Sequence, residues 1–477
     1  MRRLILCAAG AILAGCMVGP DYRRPRTDSP AGWRAATPDA REVLPAVEVR
    51  WWEQFGDPVL NDLVATALGE NKELQLAALR VEEFAARYGI ARADLYPQVG
   101  AGAGYAHQKS TERGGNPLPA GYKSSLDSFS ATLNASWELD FWGRIRRSGE
   151  AARAQLLATE EGRQAVVLSL VSSVAAAYVN LRNLDRQLEI SRQTADSRRK
   201  TLEMFEQRYR GGVISEMELT QTKILYEDSL ASIPQFEKAV AQQENGLNLL
   251  LGRNPGPLPR SRTMDQLLAP SIPGGIPSEL LTRRPDIRQA EQTLIAANAQ
   301  IGIARAAYFP TISLTGMFGS ASAELTDLFT GPARIWSVSV PVSVPIFTAG
   351  KIAATVSVSE SQRDQALISY QKAIQDAFRE VEDALVEQGT ARQQLAVRRT
   401  QREDLEKYLR LATARYDNGY SSYLEVLDAE RNLFSAQLSY VQGQAALLQA
   451  LINLYKAMGG GWVGDAAGSA VRTGAAP

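Results

Sequence analysis

Hydrophobic and polar residues alternate one by one in some stretches of this chain and step by threes and fours in others. Between Ser128 and Phe141, Phe129, Ala131, Leu133, Ala135, Trp137, Leu139 and Phe141 fall on one side, and Ser128, Ser130, Thr132, Asn134, Ser136, Glu138 and Asp140 on the other. Trp336, Val338, Val340, Val342, Val344 and Ile346 oppose Ser337, Ser339 and Ser343. Ile312, Leu314 and Phe318 oppose Thr311, Ser313 and Thr315, and a glycine-rich stretch after Pro97 has Val99, Ala101, Ala103 and Tyr105 on its apolar side. A period of two gives each strand one greasy and one wet face. It predicts strands over about 97–107, 126–141, 310–319 and 335–347. Two settings suit them: a soluble antiparallel sheet with one buried face, or a transmembrane barrel with lipid outside and water inside. Pro341 and Pro345 lie on the polar side of the last strand and remove ladder hydrogen bonds. Four strands cannot close a barrel, because the smallest have about eight, and hydrocarbon tolerates no open edge. Strands that span a membrane here therefore require several chains to share one barrel.

A second period rules the stretches between. Leu170, Val174, Ala177, Leu181, Leu184 and Leu188 step by fours and threes, as do Leu427, Phe434, Leu438, Val441, Ala445, Leu448 and Ile452 along a later seam. This is coiled-coil spacing. No proline interrupts 143–210, which predicts a helix of roughly 100 Å at 1.5 Å per residue. Helices are expected over about 143–210, 215–251, 350–417 and 422–458, with Pro234 kinking the second. The glycine-bearing turns Arg210-Gly211-Gly212 and Asp417-Asn418-Gly419 supply left-handed caps.

The chain is also written twice. Gly89-Ile90-Ala91-Arg92-Ala93 with Tyr96-Pro97 recurs as Gly302-Ile303-Ala304-Arg305-Ala306 with Phe309-Pro310, an offset of 213 (97 to 310). Arg208-Tyr209, Gly212 and Ser215 recur as Arg415-Tyr416, Gly419 and Ser422, an offset of 207 (212 to 419). Gly143-Arg144-Ile145 matches Gly350-Lys351-Ile352 at the same 207 (143 to 350). The boundaries read as 1–15 signal peptide, 16–57 N-terminal segment, 58–270 and 271–458 the two repeats, and 459–477 a Gly/Ala-rich tail expected to be poorly ordered.

The N-terminus changes the picture. Arg2 and Arg3 precede the apolar run Leu4 to Ala14, too short to span a bilayer. Leu13-Ala14-Gly15-Cys16 closes that run as a signal sequence ending in a bacterial lipobox, with Cys16 the acylated first residue of the mature chain. Export makes the barrel the favoured setting of the strands. Cys7 leaves with the signal, so no disulfide is available within the mature chain. The 52 basic and 52 acidic residues become 50 and 52 once Arg2 and Arg3 are removed, which argues against a nucleic-acid partner. His107 is the single histidine; it has no partner at metal-ligand spacing and reads as a loop residue. With no nucleophile–base or metal constellation in view, an enzyme is the least favoured class, and no cofactor is expected beyond the diacylglycerol thioether and N-acyl chain on Cys16. Gly100, Gly102 and Gly104 lie in an alternating strand rather than before a helix, so they read as close packing in a barrel wall, not a dinucleotide loop.

Taken in order, several local marks resemble the outer-membrane factor family, in its lipoprotein branch. They are Gly19-Pro20-Asp21-Tyr22 with Pro25, Trp51-Trp52 with Phe55, Asp57-Pro58 and Leu60, and Arg284-Pro285-Asp286-Ile287. Tyr308-Phe309-Pro310, Pro345-Ile346-Phe347 before Gly350, and Arg415-Tyr416 through Gly419, Tyr423-Leu424, Leu427-Asp428-Ala429 and Arg431 complete them. The resemblance implies a homotrimer with a twelve-stranded β-barrel, four strands per chain, and a helical tunnel across the periplasm. It implies an exit duct of a tripartite efflux pump, docked to a periplasmic adaptor (membrane fusion protein) and an inner-membrane RND-type pump, with substrates leaving unchanged. It also implies a periplasmic gate at Leu424, Asp428 and Arg431, and adaptor-contact tips at Gly212, Val213, Ser215, Gly419, Tyr420 and Ser422.

From spacing alone, Arg431 falls on the seam between Leu427 and Phe434, where a charge is costly unless paired, and Asp428 three residues earlier is within reach. A local salt bridge worth little explains the pair as well. The first repeat has Met217, Gln221 and Ile224 at these positions, so the charges belong to the second copy only. The alternatives are an exit duct for type I protein secretion and a structural coiled-coil lipoprotein.

Overall fold

The computed structural model describes residues 17–34, 50–111, 124–270 and 277–460. Cys16, the expected signal sequence over 1–15 and the expected tail beyond Gly460 lie outside the described residues. The described elements run α1 Pro58–Glu70, α2 Lys72–Ala93, β1 Gln98–Lys109, β2 Ser125–Glu138, α3 Arg144–Arg210, α4 Glu216–Leu250, α5 Pro277–Arg283, α6 Pro285–Ala306, β3 Thr311–Ser322, β4 Arg334–Ser339, β5 Val342–Ser343, α7 Lys351–Asp417 and α8 Tyr423–Ala457. Helices of 67 and then 35 residues occur in both halves. The chain forms two compact units that cut across the repeats, each taking segments from both.

The unit built from 1–26, 80–159 and 289–370 contains the sheet. Its strands pair antiparallel in the order β1-β2-β3-β4, with β5 also on β3. The apolar face is bare: Val99 is 72% exposed, Phe318 60% and Trp336 74%. Among the described residues, β1 and β4 each leave one edge without a partner. The last strand is shorter than its alternation predicts. Pro341 interrupts it after Ser339, leaving two residues of β5, because proline cannot donate to the ladder. β2 ends at Glu138 rather than Phe141, where Asp140 accepts from the Ile145 and Arg146 amides at 3.1 and 2.9 Å and so caps α3.

Within the single chain a Cβ at Gly104 would meet the Ser130 hydroxyl at 3.4 Å and one at Gly102 the Thr132 hydroxyl at 3.9 Å, both ordinary contacts. A Cβ at Gly100 would meet nothing within 4 Å, whereas one on Gly319 would lie 2.1 Å from the Ala131 carbonyl oxygen. His107 is a strand residue, not a loop residue. Its Nδ1 meets Asp127 at 2.8 Å, its Nε2 meets the Ser125 hydroxyl at 2.9 Å, and the Tyr105 hydroxyl donates to Asp127 at 2.8 Å. These contacts have the order of a Ser–His–Asp relay that the sequence did not disclose. The His107 and Asp127 side chains are 55% and 46% exposed, so the group lacks the water-excluded site that acyl transfer needs and braces β1 against β2.

The second unit, 27–79, 160–288 and 371–477, holds the main core. Trp51, Trp52 and Phe55 are buried, and Trp51 stacks on Tyr455 with ring centroids 4.7 Å apart. Asp57 is fully buried, caps α1 through the Val59 and Leu60 amides, and accepts from the Tyr178 hydroxyl at 2.8 Å and the Arg262 amide at 3.2 Å. Burial first, and this hydrogen bond second, push the Tyr178 hydroxyl far above its usual range. Arg284, also buried, holds Asp286, Glu380 at 2.8 Å and the Ala457 carbonyl at 2.8 Å. Among the described residues α3 alone has a window apolar enough to cross a membrane by composition; 56% of it is buried, which marks it as core.

Candidate functional site: the helix turns and the face of α8

The two helical turns share one design. After α3, the Val213 amide donates to Arg208 and the Gly212 amide to Tyr209, both at 2.9 Å, with Gly212 at φ +73°. After α7, the Tyr420 amide donates to Arg415 and the Gly419 amide to Tyr416, again at 2.9 Å, with Gly419 at φ +74°. This is the Schellman closure, and its left-handed residue favours glycine. Ser215 then opens α4 with a reciprocal capping box to Glu218, while Ser422 opens α8 with no side-chain cap. Val213 and Tyr420 stand at the turns 74% and 78% exposed.

An aromatic cluster ties the turns together. Phe205 packs on Tyr423 at 4.2 Å, Tyr416 on Tyr423 at 5.0 Å, and Arg208 donates to the Tyr416 hydroxyl at 3.4 Å. Burial drives the Tyr423 hydroxyl far above its ordinary range, so it stays neutral. The repeat signature marks Arg208 and Tyr416 and the family marks include Tyr423, whereas Phe205, which continues the seam of α3 beyond Leu188 in steps of three and four, carries no mark of its own.

On α8 the structure brings Leu424, Asp428 and Arg431 onto one exposed face, with Leu424 60% exposed. Arg431 donates to Asp428 at 2.8 Å, and Asn432 donates to the other carboxylate oxygen at 2.9 Å. The pairing expected from spacing is present, but the placement of Arg431 on the buried seam is corrected: its side chain is 67% exposed. Leu427 and Val426 are buried instead; at 100° per residue Leu427 lies only about 40° from Arg431, so it is the length of the Arg431 side chain that carries its guanidinium to solvent. In the first repeat Met217 and Ile224 are exposed at the equivalent positions of α4.

The segment that begins the described residues at Met17 is tied down in the sheet-bearing unit. The Val18 amide donates to the Trp142 carbonyl at 3.0 Å, at the junction of β2 and α3. Buried Arg147 reaches Val18 and Gly19 carbonyls and pairs with Asp21 at 2.7 Å. A Cβ at Gly19 would lie 2.5 Å from Gly302 Cα, so only glycine fits this contact.

A strand set that cannot close by itself, joined to helices of 67 residues ending in exposed turns, defines an outer-membrane duct. The chain belongs to the outer membrane efflux protein family, which matches residues 63–253 and 276–460. It is 38% identical over 465 residues to the toluene efflux pump outer membrane protein TtgF of Pseudomonas putida, covering 95% of this chain and 96% of that one. It is 37% identical over 464 residues to the cation efflux system protein CusC of Escherichia coli, covering 97% and 99%. The open state of the Neisseria gonorrhoeae MtrE outer membrane channel superposes with a TM-score of 0.85 at 32% identity, covering 94% of this chain and 98% of that one. The protein is an outer-membrane efflux channel whose chain combines membrane strands with long tunnel helices.

Proposed function

We propose that three copies of this chain close a twelve-stranded barrel and form a passive duct, through which small molecules leave the periplasm chemically unchanged. The observation that carries this reading is the sheet of β1 to β5, in which β4 and β5 are two pieces of one strand, with an exposed apolar face and, among the described residues, an unpartnered edge on each side. Partner copies satisfy both edges, and outer-membrane lipid covers the face. The cargoes in the relatives' names, toluene and cations, are small, which supports small-molecule efflux. The exposed turns at Gly212, Val213 and Ser215 and at Gly419, Tyr420 and Ser422 dock on a periplasmic adaptor, which links the duct to an inner-membrane RND-type pump that supplies the energy. Leu424 and Asp428 form apolar and acidic rings at the periplasmic gate, with Arg431 restraining the acid. Acyl chains on Cys16 enter the inner leaflet beside the junction at which Val18 is held.

Native mass spectrometry of the detergent-purified protein checks assembly and lipid together. Three mature chains, each beginning at Cys16 and heavier than its polypeptide by diacylglycerol and one acyl group, are expected. A monomer, or an unmodified Cys16, contradicts the corresponding part.

A further inference from the structure

Behind the gate-bearing face of α8 lies a cavity of about 330 Å³ walled by α3, α7 and α8. At about 30 Å³ per water it has room for roughly ten. Most charges around it are matched. Arg186 pairs with Glu189 at 2.8 Å and Asp265 at 3.3 Å, and Arg402 pairs with Glu406 at 3.5 Å while lying 4.3 Å from the Tyr440 ring. Two are not. Arg198 of α3 is 5% exposed; its Nη1 donates to the Leu225 carbonyl at 2.8 Å and its guanidinium lies 5.4 Å from the Phe434 ring. Its Nε and Nη2 are buried without a partner. Glu430 of α8 lines the same cavity, and no described residue donates to it or pairs with it within 4 Å. A buried cation and a half-buried carboxylate in one cavity, each short of contacts, are costly. They also sit on two different helices, next to the gate face.

We propose that Glu430 and Arg198 are a proton-linked positioning pair: with Glu430 protonated, α8 keeps the arrangement seen here against α3, and with Glu430 ionised, water enters the cavity and α8 is released. The idea rests on the gate reading, because Leu424, Asp428 and Arg431 move with α8. Burial, the largest influence, raises the Glu430 carboxyl above its ordinary range, and Arg198 opposes this only in part. Burial also lowers Arg198, against the pull of Glu430, Asp228 of α4 and Tyr423 of α8. Once water reaches Glu430, its carboxyl returns toward the ordinary value of about 4.3. The packed arrangement therefore binds the proton more tightly. It is favoured in acid, loses ground as pH rises from the ordinary carboxylate range through the raised value of Glu430, and changes no further above that. Arg186, Arg402, Asp265 and Glu406 are paired with one another or with near neighbours and contribute less to this balance.

The test uses the purified, lipidated channel with spin labels at Gln193→Cys on α3 and Gln437→Cys on α8, both lining the cavity. The label separation is expected to lengthen as pH rises from about 4 to about 8, and channel conductance to rise over the same window. Glu430→Gln keeps the shape of the protonated side chain, so distance and conductance should stay at their acid values throughout. A Glu430→Gln channel that retains the parent's pH profile in the label distance overturns the proposal. If the distance profile behaves as expected while conductance ignores it, the positioning pair stands and the gate reading fails.

Discussion

Gly319→Ala is expected to remove the folded trimer almost entirely. The residue pairs with Thr132 in the centre of the sheet, and an added Cβ would stand 2.1 Å from the Ala131 carbonyl oxygen. Backbone cannot yield there as a flexible side chain would, so β2 and β3 must part. Overpacking costs about 1–3 kcal/mol, and the clash recurs in every chain that shares the barrel. A drop of at least about tenfold in folded trimer follows from the middle of that range. Gly316→Ala is the control on the same strand. Its Cβ would meet Ser337 oxygen at 4.0 Å, an ordinary contact, and its trimer yield should match the parent's. Electrophoresis of unheated membranes reads both; equal yields for the two variants would show that β2 and β3 do not pair as described.

Asp428→Ala with Arg431→Ala should raise the conductance of the resting channel severalfold while leaving its thermal stability within about 0.5 kcal/mol of the parent. The pair is exposed and only three residues apart, so its loss costs the fold little. Its other effect is on the passage. Asp428 is held by Arg431 and Asn432, so its carboxylate is fixed in place rather than free to swing aside. On the proposed gate reading, the fixed acids and the exposed Leu424 side chains, repeated around a three-fold axis, narrow the opening. Conductance equal to the parent's would place the constriction elsewhere, and the single variants would then separate charge from restraint.

Much of this architecture is legible in the sequence because period and repetition report it directly. The heptad steps from Leu170 and the uninterrupted run after Gly143 predict α3 to within a residue. The glycines at 212 and 419 mark both Schellman turns. The strands are legible up to the point where another interaction competes: Pro341 cuts the last one and the Asp140 cap ends β2 early. Side-chain placement on the long helices is less legible. A heptad count puts Arg431 on the seam, whereas the length of its side chain carries the guanidinium to solvent. Arg198 and Glu430 carry no motif, since two helices more than 200 residues apart in sequence bring them to one cavity. The His107–Asp127–Ser125 group was hidden for the same reason: antiparallel register, not spacing, brings it together.

Planar-bilayer recording of the purified protein tests the central claim most directly. The account predicts that preparations sized as trimers insert and pass ions through a discrete channel, with a low resting conductance that the Asp428→Ala, Arg431→Ala variant increases. A protein that stays monomeric and passes no current in either form would contradict it.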